Sequence, residues 1–327
     1  MEFQVIEKYM NQVLAGRDLE FVEALELARE AEPAELYQAA DELRQRLHKN
    51  SLDLCSIVNA KSGKCSEDCK FCAQSSHYDV EVINYDVVDV VQAIALAKEN
   101  ELHGVQRFSL VTAGRSVSEK HLEEFRKLYQ RLKEETDLSF CASMGFLTPE
   151  KAAKLKEMGV TRYHCNLETS RSYFPQVCTS HTWDEKVATI KIAREAGMEV
   201  CSGGIIGMGE SLEQRLELAF ELRELGVLSI PLNILTPIKE TPFADLEPLS
   251  VAEVLTCVAM FRFINPMAVI RLAGGRNLLG EDQRRCFTGG ANGAIVGNYL
   301  TTVGNSLNED IEMFRALGFD VAEESKK

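Results

Sequence analysis

Four segments of this chain repeat one pattern: an amphipathic helix, a glycine suited to its C-terminal cap, then a short β-branched strand. They are KENELHGVQRFSLV with Gly104, KLKEMGVTRYHCNL with Gly159, AREAGMEVCSGGII with Gly197, and LRELGVLSIPLNIL with Gly226. Strands near Leu54 to Asn59, Leu138 to Ser143, Met267 to Ala273 and Ala291 to Val296 bring the expected total to about eight, alternating with helices. The fold class implied is α/β, a TIM-type (βα)8 barrel. An open doubly wound sheet is the alternative, because alternation does not by itself require closure. Before the first strand the apolar spacing is helical throughout, so residues 1–48 read as an N-terminal helical extension, 49–320 as the barrel and 321–327 as a charged tail. In a barrel, chemistry belongs at the C-terminal strand ends and the loops that follow them.

The charge balance narrows the partners. With 36 basic and 50 acidic residues the net charge is -14, and no basic run stands out, so nucleic acid and anionic membranes are not expected partners. No stretch approaches the roughly 20 apolar residues of a membrane span, and the start MEFQVIEKYM lacks a secretory apolar region, which points to the cytoplasm. The 10 cysteines, three of them clustered in a large chain without a signal, favour metal or redox chemistry over disulfides.

That cluster is Cys65, Cys69 and Cys72, a C-x3-C-x2-C loop directly after the first strand. Its thiolates can reach different irons of one cuboidal 4Fe-4S cluster, leaving the fourth iron open to chelate the amino and carboxylate groups of a small molecule. A structural zinc site is the competing reading. Zinc usually takes two cysteine pairs or added histidines, and His77 is the only nearby candidate.

A CxxxCxxC loop after the first strand of a barrel resembles the signature of radical S-adenosylmethionine enzymes, and Phe71 matches their usual aromatic. The segments CAQSSHY, NLETS, CSGGIIGMGE, VIRLAGGR and CFTGGANG resemble the biotin synthase family over nearly the whole chain. The resemblance implies reductive cleavage of S-adenosylmethionine to a 5'-deoxyadenosyl radical, two hydrogen abstractions from dethiobiotin, and insertion of sulfur from an auxiliary iron-sulfur cluster. It assigns no side chain a catalytic role beyond the clusters.

The family's auxiliary 2Fe-2S cluster takes three cysteines and an arginine, and Cys141, Cys201 and Arg271 match three of these positions. The fourth reads Ser109, a poor iron ligand, while the fourth strand carries an extra cysteine, Cys165. Cys165 is therefore expected to replace the missing ligand, with an auxiliary cluster of 4Fe type as the alternative to 2Fe-2S. Strand alternation argues for His164 instead, and Cys178 is a third candidate. Cys55, Cys257 and Cys286 read as structural, and His103, His121 and His181 are assigned no chemistry.

For S-adenosylmethionine the resemblance implies Phe71, Thr112, Ala113, Glu168 and Ile205, with Glu168 on the ribose hydroxyls and Ile205 on the adenine. Substrate binding falls to His164, Asn166 and Asn233, the two amides suiting a ureido ring, with strand-end capping as the plainer reading. The resemblance also implies a ferredoxin or flavodoxin donor and a homodimer. The rivals are hydrogenase-maturation and methylornithine-forming relatives, lipoyl synthase, which places another three-cysteine motif before the loop, and a non-catalytic iron-sulfur carrier.

Overall fold

The computed structural model describes residues 2–297, 300 and 304–321 of the chain, so most of the tail expected at 321–327 lies outside the described residues. Three helices come first, α1 (Glu2–Leu14), α2 (Phe21–Glu30) and α3 (Pro33–His48). The parallel strands β1 (Asp53–Lys61), β2 (Arg107–Thr112), β3 (Ser139–Ser143), β4 (Val160–His164), β5 (Glu199–Cys201), β6 (Gly204–Ile206), β7 (Ser229–Ile234), β8 (Val269–Leu272) and β9 (Gly293–Ile295) then form one sheet. The sheet closes on itself: β1 pairs with both β2 and β9, and β5 pairs with both β4 and β7. This is the expected barrel, and closure removes the open-sheet alternative.

One stave departs from the expectation. The fifth strand is split into β5 and β6, giving nine pieces for eight staves, and the cause lies across the seam in β7. Pro231 has no N–H to donate, so the ladder runs from Cys201 opposite Ser229 to Gly204 opposite Leu232 and is interrupted between them. Gly203 fills the gap; a Cβ there would stand 1.9 Å from the Pro231 carbonyl oxygen.

The four repeat glycines do what their positions suggest. Gly104, Gly159, Gly197 and Gly226 have φ of 77°, 93°, 77° and 61°, the left-handed geometry that ends a helix and turns the chain into the next strand. Helix starts are written as clearly. Thr182 with Glu185, Ser211 with Gln214, Ser250 with Glu253 and Ser306 with Glu309 each form a reciprocal capping box.

Strand alternation sorts side chains onto two sides of the wall. Leu54, Phe108, Phe140, Tyr163, Val200, Ile230, Ile270 and Ala294 face outward into the shared apolar core. Their chain neighbours Cys55, Ser109, Cys141, His164, Cys201, Pro231, Arg271 and Ile295 line the barrel's interior cavity. The N-terminal helices lie on the outside, where Arg29 pairs with Glu213, the Tyr37 hydroxyl donates to the Ala252 carbonyl and His48 meets the Pro266 carbonyl.

Beyond β8, the fully buried Arg276 pairs with Asp310 on the last helix (Leu307–Ala316), whose other carboxylate oxygen accepts from Asn305. Removing Asp310 takes away the carboxylate that answers this buried charge. Asp310→Ala should therefore lower the unfolding free energy by about 3–5 kcal/mol, measured by urea denaturation against the unaltered chain.

Candidate active site

The cysteine loop is held by the residues that follow it. Cys65 N–H donates to the Gln74 carbonyl, and the Ser76 N–H and hydroxyl both donate to the Cys65 carbonyl. The Gln74 side-chain oxygen accepts from Gly63 N–H, the Ser75 hydroxyl donates to the Glu67 carbonyl, the His77 ring bonds the Ser66 carbonyl, and the Tyr78 hydroxyl donates to the Asp68 carbonyl. Almost every polar group of the CAQSSHY segment is thus spent on fixing the loop. Cys65, Cys69 and Cys72 are half-buried free thiols within it, and burial pushes the Cys72 thiol up to about 11. Three soft donors on one braced loop, none of them in a disulfide, fit a cluster that binds through three thiolates.

Inside the barrel lies a cavity of about 300 Å³. Phe71, Glu168 and Ile205 line it, so it is continuous with the neighbourhood of the cysteine loop, and its wall also includes Cys55, Cys141, Cys201 and Arg271. Phe71 and Ile205 pack with Val177, Met208 and Leu235 in a small apolar cluster. The CSGGIIGMGE segment is stiffened by Glu210, whose carboxylate accepts from the Gly207 and Met208 N–H groups, each at 2.7 Å, and from Arg215.

Glu168 adopts φ of 71°, a left-handed conformation costly for a residue with a Cβ. Two backbone bonds impose it, Glu168 N–H to the Gly203 carbonyl and Ile205 N–H to the Glu168 carbonyl. Lys186 and Asn166 hold its carboxylate at 3.4 and 3.3 Å. Asn166 also accepts from Gly203 N–H, while Asn233 donates to the Gly204 carbonyl and accepts from Gly274 N–H. The amides therefore cap strand ends while lining the cavity. Thr112 and Ala113 stand where β2 ends, with Ala113 N–H on the Lys61 carbonyl, and are not part of the cavity wall.

The floor is charged. Arg271, 1% exposed, donates to the Asp53 carboxylate at 2.7 Å and to the Asp53 carbonyl at 2.8 Å. Arg162 and Arg107 approach the same carboxylate at 3.6 and 3.7 Å. Burial opposes the charge on Asp53, but the three arginines hold its carboxyl below the usual range. Burial likewise pushes the Cys201 thiol up, yet His164, hydrogen-bonded to it, together with Arg271 and Arg162 brings it down to about 7. Cys141 is lowered by its hydrogen bond from Cys55, with Arg162 and Arg107 assisting against burial, and Cys55 is raised as the member that keeps the proton.

These positions correct two expectations. Cys165 does not reach the cavity: its neighbours on both sides, His164 and Asn166, point inward, so its thiol falls among the outward-facing core residues, where burial pushes it up to about 11. Cys55, expected to be structural, faces inward beside Cys141. The first strand thus contributes a thiol beside the second, where Ser109 has none. Parity alone shows that Cys55 and Ile57 share a face, but only the register, with Ile57 opposite Ser109, sets that face beside Ser109. Cys178 and His181 also lie outside the cavity, against Cys69.

The chain is similar to known proteins over nearly its whole length. Residues 60–222 match the model of the radical SAM superfamily, and 231–320 match that of the biotin and thiamin synthesis associated domain. The chain is 60% identical over 325 residues to the biotin synthase of Desulfotalea psychrophila, covering 98% of this chain and 97% of that one. It is 52% identical to the biotin synthase of Acetivibrio thermocellus, covering 95% and 98%. Among solved structures it superposes on methylornithine synthase with a TM-score of 0.83 at 18% identity, covering 97% and 98%. The FeFe-hydrogenase maturase HydG of Carboxydothermus hydrogenoformans gives 0.79 at 18% identity, covering 96% and 78%. At that identity the structural likeness concerns the fold alone.

The electrostatics carry a direct test. His164→Phe removes a hydrogen bond and a positive charge from the Cys201 thiolate, so the thiol of the cluster-free protein should climb from about 7 toward its ordinary 9.0. Since the thiolate is the nucleophile, alkylation of Cys201 near neutral pH, followed by mass spectrometry, should slow by about tenfold.

Proposed function

The chain belongs to the biotin synthase family, and from that premise we propose that it converts dethiobiotin to biotin, with Cys65, Cys69 and Cys72 holding the radical-generating cluster and Cys55, Cys141, Cys201 and Arg271 holding the sulfur-bearing one. It is a radical S-adenosylmethionine sulfurtransferase whose cofactors are a 4Fe-4S cluster, S-adenosylmethionine and an auxiliary iron-sulfur cluster. The single observation that carries the ligand assignment is the cavity itself, which brings three thiols and a buried arginine to one space that also reaches Phe71 beside the loop.

When bound, these groups supply the hydrogen-abstracting radical and the sulfur atom; the chain's own residues do the rest. Glu168, held by Lys186 and Asn166 in a fixed backbone conformation, offers a carboxylate for paired hydroxyl donors such as those of a ribose. Phe71 and Ile205 form an apolar wall that keeps water from a reactive carbon centre. Asn166 and Asn233 have committed only part of their amide capacity to the backbone, and what remains suits the N–H and C=O of a ureido ring. His164 and the floor arginines hold Cys201 near ionisation, the state in which a thiol ligates iron.

The same reading takes residues 1–48 as a helical cover and 49–320 as the catalytic barrel, on their spacing, and takes the setting as cytoplasmic; a ferredoxin or flavodoxin donor and a homodimer are supported by the family resemblance. No helix among the described residues is long and apolar enough to cross a membrane.

Two variants separate this ligand set from the one expected on sequence. After anaerobic reconstitution, Cys55→Ala should lose the iron of the second cluster and its biotin yield while still forming 5'-deoxyadenosine from S-adenosylmethionine. Cys165→Ala should retain both. The opposite pattern would return the fourth-strand cysteine to the site, and deoxyadenosine without biotin in the unaltered chain would point to another substrate.

A further inference from the structure

Two residues beside the cysteine loop have no part in the chemistry above. Cys178 and His181 belong to the loop that follows β4, spaced C-x2-H, and with Cys69 they bring three soft donor atoms within 4.8 Å of one another. Cys178 Sγ lies 3.7 Å from Cys69 Sγ, and 3.3 and 3.7 Å from Nδ1 and Nε2 of His181, so a turn of the ring would aim Nε2 at a shared ion. A tetrahedral ion with metal–sulfur distances of about 2.3 Å and metal–nitrogen distances of about 2.0–2.1 Å sets its ligands about 3.8 Å apart sulfur to sulfur and about 3.6 Å apart sulfur to nitrogen. The two Cys178 separations stand close to those values, and Cys69 lies within 4.8 Å of the His181 ring nitrogen.

The surroundings are those of a built site. His181 is 6% exposed and packs between the rings of Phe146 and Phe174. Its Nδ1 lies 2.5 Å from the Glu67 carboxylate, which Arg115 and the Ser180 hydroxyl hold from the other side. A carboxylate on Nδ1 fixes the tautomer that frees Nε2 as a ligand, the usual outer support of a metal-binding histidine. Asp68 ties the two loops together, accepting from the Thr179 and Ser180 N–H groups at 2.9 Å each and from the Cys178 thiol at 3.1 Å.

We infer that the cluster-free chain binds one soft divalent cation, of the Fe²⁺ or Zn²⁺ class, through Cys69, Cys178 and His181, with a fourth position left to solvent. Because Cys69 is also a ligand of the loop cluster, the two occupants exclude one another. Ferrous iron held there is the first iron at the site of assembly, whereas zinc held there blocks it. The site rests on the geometry of three side chains and stands whether or not the substrate is dethiobiotin.

Cobalt(II) titration of cluster-free protein under anaerobic conditions tests it. The Cys65→Ser/Cys72→Ser variant removes the competing loop donors and keeps the proposed three. It should bind one equivalent of Co²⁺ more than the same variant carrying Cys178→Ser or His181→Ala, with the thiolate-to-cobalt and visible bands of a tetrahedral site in the difference spectrum. The cavity thiols are common to all these proteins and cancel. Circular dichroism confirms folding, and either added substitution suffices if the other is unfolded. Equal stoichiometry with a flat difference spectrum overturns the site. In the unaltered cluster-free chain, prior Zn²⁺ should slow iron-sulfur reconstitution, and Cys178→Ser should relieve the block; equal slowing in both overturns the shared use of Cys69.

Discussion

The interior of a closed barrel tolerates charge only where charge is answered, and here the answer is Asp53. At the start of β1 its carboxylate faces Arg271 from β8, Arg162 from β4 and Arg107 from β2, so a single side chain ties four of the eight staves together below the cavity. Glu199 offers a second carboxylate to Arg162 and Arg107, but more than half of its side chain is exposed and water screens much of its effect. Three guanidinium groups against one half-buried carboxylate leave the floor electropositive. The thiols immediately above are shifted toward ionisation despite full burial, Cys201 first by His164 and Cys141 first by its hydrogen bond from Cys55, with the arginines assisting both. The charges that fix the floor of the fold therefore also help to prepare the thiols of the cavity.

Much of this was legible in the chain. The glycine that ends each helix and the β-branched residues after it carry enough local information to count staves, because cap geometry and alternation are properties of neighbouring residues. The loop at Cys65 was equally plain, three cysteines within eight residues requiring no tertiary knowledge. Alternation also warned that Cys165 and Asn166 point to opposite sides of the wall, and the structure upholds that geometry over the sequence-level substitution of one cysteine for another.

What was not legible depends on lateral neighbours. Which side chain stands beside Ser109 is decided by the register between β1 and β2, and no feature of either strand alone reports it. The break in the fifth stave has the same origin, a proline that acts on the strand beside it. Cys178 was weighed only as a ligand of the second cluster and His181 was given no chemistry for a third reason: Cys69 lies 109 residues from Cys178, and only the packing of two loops brings them together.

The thiol on β1 has a wider consequence. Inward-facing positions on adjacent staves open onto the same space, so a donor can change its address in the chain while keeping its place in the cavity. A comparison made column by column scores Ser109 as a loss and Cys55 as an unrelated novelty, although the inventory of three thiols and one arginine is intact. The relatedness of two such walls is therefore better judged by superposing their contents than by aligning their letters.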